Sequence, residues 1–200
     1  MWSESAYRSR ERHKVRASEG GFTLMELMTV VVIVGVLSAI AIPSFRNYIY
    51  KARASEAPEF LGVIRLREEA YRSEFGVYCP TIDPNGNAVT ALNTPGNLVP
   101  NPTVTPRDPK PFTPTQPWLQ LGARPGEAVR FGYGVVAGPP STAVAQNIGF
   151  TAADADFWFV ARAVGDLDAD NTFCTFEIYS ASKNVWIGDS AGTALTKGWE

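Results

Sequence analysis

The 200-residue chain is short of the residues on which most site chemistry rests. It has one histidine, His13, and two cysteines, Cys79 and Cys174. Two cysteines allow at most one bridge, which excludes a disulfide scaffold and a four-cysteine zinc site. Charge is sparse as well: Asp, Glu, Lys and Arg make up 19% of the residues, against roughly 25% in an average soluble chain. A net charge of −2 lacks the basic excess of the usual nucleic-acid binder and argues against such a partner. The 45% apolar content is enough to bury a core and excludes a disordered tail protein. No phosphate-cradling or dinucleotide fingerprint is present; Gly132-Tyr133-Gly134 lacks a third glycine and a following helix.

What is there is unevenly placed. Residues 1–21 are polar and basic, with Arg8, Arg10, Arg12, Lys14 and Arg16 against Glu4, Glu11 and Glu19. Polarity then stops. Residues 22–42 are twenty-one positions with a single charge, Glu26, and Thr23, Thr29 and Ser38 as the other polar side chains. At about 1.5 Å per helical residue this run crosses a hydrocarbon core of roughly 30 Å. A core helix of that length without a polar stripe is unusual in so small a protein. The run reads as a membrane segment.

A secretory signal carries small residues after its apolar run. Here the glycine pair comes before it, at Gly20-Gly21, and Ala41-Ile42-Pro43 continues into a further helical pattern. Gly21-Phe22-Thr23-Leu24-Met25-Glu26 resembles the type III signal of type IV prepilins. The likeness combines a basic leader, a glycine, an aromatic residue, a glutamate five positions later, and an apolar run ending near Pro43. It implies that a prepilin peptidase cuts between Gly21 and Phe22 and that Phe22 is N-methylated. The leader, residues 1–21, is then lost and takes His13 with it. The resemblance further implies an inner-membrane chain with its head in the periplasm, later joining other pilin subunits in an extracellular pilus or periplasmic pseudopilus. Gly21 and Phe22 are then the processing residues, and Phe22, Glu26 and Pro43 the assembly residues.

Glu26 has a physical reason to be there. A carboxylate in lipid costs on the order of 3 kcal/mol, and a freed amine at Phe22, with a pKa of about 8, is a natural partner. The spacing lets Glu26 meet its own amine or a neighbour's; the resemblance favours the neighbour's. The other reading is a glutamate snorkelling near a helix end.

Past Pro43 the pattern is amphipathic to about residue 78. Phe60, Leu61, Ile64, Tyr71, Phe75 and Tyr78 mark a core side, while Arg65, Arg67, Glu68, Arg72 and Glu74 mark a solvent side. Glu68 and Glu69 read as surface charges. Pro58 cannot donate to residue 54, which predicts a bend near 55–60. Residues 80–125 hold eleven of the fifteen prolines and read as a long surface loop, with Trp118 and Leu119 tucked back onto the head. Strand patterns follow at 129–136, 156–164, 172–180 and 184–187, joined by short connectors. In the second, Phe157, Phe159, Ala161 and Ala163 alternate with Trp158, Val160, Arg162 and Val164. The fold expected is α+β: a long N-terminal helix on an antiparallel sheet, the pilin arrangement. Three regions follow: leader 1–21, apolar helix and its exit 22–53, and globular head 54–200.

Three further groups invite a role. Asp166, Asp168 and Asp170 sit between two strands at calcium-loop spacing, and could hold Ca²⁺ with carbonyls and water, or simply form a solvated turn. Glu177, at the position of that loop's last ligand, would be carried about 20 Å away if 172 onward is a strand. Cys79 and Cys174 either bridge, in an oxidising compartment, or stay as buried thiols. Arg107, Lys110, Arg124 and Arg130 could form a local basic patch. The chain left after residue 21 has 13 basic and 17 acidic side chains and no histidine, so DNA binding and Ser-His or Cys-His catalysis have little support. The chain reads as a filament subunit rather than an enzyme. A minor pilin or pseudopilin of a type II secretion or DNA-uptake system, acting in initiation, adhesion or ligand binding, is the alternative.

Overall fold

The computed structural model describes residues 21–81, 92, 95–103, 108–141, 155–189 and 194–195. The leader up to residue 20 and Arg107 lie outside the described residues. The chain divides into two compact units, Met1–Pro43 and Ser44–Glu200, and each is described by itself.

Helix α1 is Leu24–Ala54 and carries Pro43 within it. In the first unit it is apolar all round: Leu24, Met25, Leu27, Val31, Leu37 and Ile40 are all at least 60% exposed. Its mean hydropathy over an 18-residue window is 2.5, long and apolar enough to cross a membrane.

In the second unit, α1 gives way at Ser55 to α2, Glu56–Phe75. The interruption is where Pro58, having no N–H, leaves the carbonyl of Ala54 without its helical donor. Gly76 ends α2 in a left-handed conformation (φ 76°), its N–H donating to the Arg72 carbonyl, a position that disfavours any side chain. Four strands follow: β1 Gly132–Gly138, β2 Trp158–Gly165, β3 Cys174–Tyr179 and β4 Trp186–Asp189. They pair antiparallel in the order β1-β2-β3-β4, a meander. The α+β arrangement expected from the sequence is present, with α2 packed on β2 and β3.

The alternation read from the sequence sets the two faces of the sheet. Phe159, Ala161, Ala163, Cys174, Phe176 and Ile178 join Ala57, Phe60, Leu61 and Ile64 of α2 in the main core. Small Ala161 and Ala163 leave room for the helix against β2. On the other face Val136, Trp158, Val160, Val164 and Tyr179 form a second cluster.

Described parts of the proline-rich segment pack on that second face and on the main core, which departs from the surface loop expected. Leu92 and Leu98 complete the cluster, and Val99 bridges to Tyr133 beside β1. A Cβ on Gly132 would lie 2.5 Å from the Pro100 carbonyl oxygen, so glycine is what lets the segment lie this close. The same stretch also contains a short helix, α3, Gln116–Leu121. Pro117 sits at its start, where the missing N–H costs nothing. Trp118 is fully buried, as expected, whereas Leu119 points outward.

Three charged side chains of α2, β2 and β3 are fully buried, and one of them, Glu68, departs from the reading of the sequence. Arg162 of β2 and Glu177 of β3 are cross-strand partners on the second face, both fully buried, with the guanidinium Nη2 2.6 Å and Nε 2.9 Å from Glu177 Oε2. Glu68, expected in solvent, is fully buried on the core side of α2. Its Oε2 accepts the backbone N–H of Cys79 at 2.8 Å, so the carboxyl ties the end of the helix to the chain leaving it. Phe75, expected in the core, is 57% exposed instead.

Burial pushes the Glu68 carboxyl up to about 8, offset by the Cys79 N–H and helped by the Glu69 charge. A folded pKa above the unfolded one means stability present in acid and lost as pH rises toward 8, at about 1.4 kcal/mol per unit. Between pH 6 and 8 the detergent-solubilised chain should therefore lose thermal stability, and Glu68→Gln should flatten that slope. Glu177→Ala should cost about 3–5 kcal/mol, because it removes the buried carboxylate that pairs with the Arg162 guanidinium; chemical denaturation measures it.

Candidate processing and assembly site

The junction between leader and helix is non-helical. Gly21, Phe22 and Thr23 precede α1, all exposed, with Phe22 at 86%. Thr23 fixes where the helix begins. Its hydroxyl oxygen accepts the N–H of Glu26 at 3.2 Å, while its own N–H and O–H donate to Glu26 Oε2 at 2.9 and 2.7 Å. This is a reciprocal capping box, and it satisfies amides that would otherwise be orphaned at the helix start. The Gly21–Phe22 bond thus lies outside regular structure, two residues before the first helical turn, where a peptidase can take it extended. The sequence reading gave Glu26 one task, pairing with an amine; the cap is a second one. The threonine three residues before it was the signal for that.

The aspartates of the β2–β3 turn do come together: one carboxylate oxygen from each of Asp166, Asp168 and Asp170 lies within 4.8 Å of the others. Glu177 is engaged with Arg162 in the strand, as its distance predicted. The turn also has its own internal order. Asp166 is buried and accepts from Ala169 N–H at 2.7 Å and Asn171 N–H at 3.0 Å, while Asp170 accepts from Thr172 N–H at 2.7 Å. Ala169 and Asn171 adopt positive φ of 64° and 68°. Burial, with the Asp170 and Asp166 charges, raises the Asp168 carboxyl.

Cys79 and Cys174 both lie in the main core, as buried thiols, the second of the two readings. The Cys79 sulfur faces the Pro117 carbonyl oxygen at 3.8 Å. Burial, with the Glu68 charge, pushes the Cys79 thiol up to about 11, and burial alone pushes Cys174 up to about 12. Such thiols are poor nucleophiles.

Among the described residues, Lys110, Arg124 and Arg130 do not gather into a free patch. Lys110 is buried, donating to the Pro102 carbonyl at 3.4 Å. Arg130 pairs with Glu56 at 3.5 Å. Glu56 also accepts from the backbone N–H of Arg130 at 2.7 Å and from the Tyr133 hydroxyl at 3.3 Å. An open hollow of about 360 Å³ beside it is lined by Glu56, Glu59 and Glu127 with Arg124 and Arg130, signs that largely offset each other.

Comparison with known proteins bears on the same junction. Residues 16–42 match the family model described as the prokaryotic N-terminal methylation motif. The chain is similar to the fimbrial protein EcpC of Eikenella corrodens, 41% identical over 58 residues, 29% of this chain and 38% of that one. It is similar to the type IV major fimbrial protein FimA of Dichelobacter nodosus, 33% identical over 75 residues, 38% of this chain and 47% of that one. The type IV major pilin protein PilE1 of Neisseria gonorrhoeae is 37% identical over 84 residues, 42% of this chain and 39% of that one. The chain thus spans less than half the length of each of these relatives. No solved structure matches it. The N-terminal segment thus matches the methylation motif, and the chain is similar over part of its length to type IV pilin and fimbrial proteins.

Two outcomes check this geometry. Iodoacetamide at pH 8 should add nothing to the folded chain and two adducts after denaturation, read by intact mass. Asp166→Ala should cost roughly 1–3 kcal/mol, since it leaves two amides of the turn without their acceptor.

Proposed function

We propose that this chain is a structural subunit of a type IV pilus or a related filament. It is made as a prepilin, cut after Gly21 by a prepilin peptidase, N-methylated at Phe22, and polymerised through α1. Before assembly it sits in the inner membrane with its head in the periplasm. The observation that carries this reading is the exposed apolar face of α1, which runs all round the helix and begins at the prepilin junction. Such a helix needs lipid or other copies of itself around it, and a filament of packed helices supplies the second as the membrane supplies the first.

Within that reading Glu26 is the single charged side chain of the apolar run, and its carboxylate, capped by Thr23, still needs a counter-charge once the helix leaves the membrane. The amine freed at Phe22 of a neighbouring subunit is the cation of matching place and charge. Calcium at the Asp166–Asp170 turn is not required, because backbone amides already order Asp166.

The test separates processing from assembly. Gly21→Leu should leave the uncut precursor in the membrane fraction. Glu26→Val should be cut normally yet be depleted at least about tenfold from filaments sheared off the cell, the equivalent of about 1.4 kcal/mol. Normal incorporation of Glu26→Val would remove the charge pairing from the account.

A further inference from the structure

We propose that Arg46, Lys51 and Arg53 form a cationic collar that seats the exit of α1 on the phosphates of anionic lipid headgroups. The inference rests on the membrane-anchoring part of the function proposed above. Between Glu26 and Glu56 the sequence has no acidic residue, and these three are its only charges. They follow Ile42, the last residue of the apolar run, by four, nine and eleven positions.

Arg46 and Lys51 are exposed and Arg53 half-buried, and none of the three has an ion-pair partner among the described residues. Arg72, Arg130 and Arg162, by contrast, are each paired with an acid of their own head. Arg46, Ile49, Tyr50 and Arg53 recur at helical spacing and line an open hollow of about 330 Å³. Two guanidiniums with an aliphatic and an aromatic side chain between them suit a phosphate attached to an acyl chain better than a bare ion. Phe45 and Tyr48, 64% and 71% exposed, are the aromatic residues expected at the level of headgroups. Loss of the leader removes five basic residues from the other end of the run, so in the processed chain this collar is the cationic flank that remains. Each such residue near an anionic surface is worth roughly fivefold in binding.

The full chain, one copy per lipid nanodisc, should be compared in phosphatidylcholine and in phosphatidylcholine with a third phosphatidylglycerol. Amide hydrogen exchange is read separately over residues 24–42, 44–54 and 56–75. Residues 44–54 should exchange at least about fivefold more slowly in the anionic discs, with 56–75 unchanged. The difference should vanish in about 1 M salt, where screening acts over roughly 3 Å. It should vanish too in the Arg46→Gln, Lys51→Gln, Arg53→Gln triple variant. Equal exchange in both discs would overturn the collar while leaving the membrane reading intact, provided 24–42 stays protected. Slowing in neutral discs on adding inorganic phosphate would assign the site to free phosphate, and slowing only in discs loaded with several copies would assign it to a second subunit. Either result overturns the lipid assignment. Unprotected 24–42 in both discs would overturn the membrane reading and the collar with it.

Discussion

An apolar helix with an exposed surface all round is the constraint on which the rest of this protein depends. Residues 22–42 carry one carboxylate, and no stripe of polar side chains offers water a face. At about 25 cal/mol per Å² of apolar surface removed from water, a helix of this length has a large driving force to be covered. Lipid would cover it in a membrane, as like helices would in a filament. In the function proposed, an amine freed at Phe22, Glu26, the methylation motif and the cations after Pro43 all take their meaning from that requirement.

The head solves a different problem, that of a small sheet buried on both faces. The central strand β2 is buried along its whole length, with α2 on one side and Leu92 and Leu98 of the proline-rich segment on the other. Antiparallel sheets often leave one face to water and alternate apolar with polar residues. Here the alternation is between two largely apolar sets, and on the second face the buried charges of Arg162 and Glu177 pair with each other. Prolines suit the covering segment. Each fixes its own φ and removes a donor that would otherwise need a partner on the sheet's surface.

Much of this was legible in the sequence. The long apolar helix, the four strands and the interruption after residue 54 follow from period, composition and Pro58, and the methylation motif from its likeness to prepilin signals. What escaped has identifiable causes. Glu68 was placed in solvent because a carboxylate usually is, yet its position in the helix, four residues after Ile64, lies on the core side, and its partner is a backbone N–H eleven residues away. The proline-rich stretch looked exposed because it cannot form long regular elements; its burial depends on Leu92, Leu98 and Trp118, scattered apolar residues without a period. The six-residue α3 is shorter than any periodic signal can show. The cysteines were read by compartment rather than by geometry, and the fold puts the Cys79 sulfur against a carbonyl. At the junction, the cap between Thr23 and Glu26 was written in their spacing, but the membrane role of Glu26 drew the reading elsewhere.

The central claim, that this chain is cut at Gly21 and assembled through the helix so exposed, is tested most directly by mass. Intact-mass and N-terminal analysis would be made on the protein recovered from sheared surface filaments and, separately, from membranes. The account predicts a chain of 179 residues beginning with N-methylated Phe22 in both fractions. A chain that keeps Met1 in cells with an active prepilin peptidase, and is absent from filaments, would contradict it and leave α1 as a plain membrane anchor.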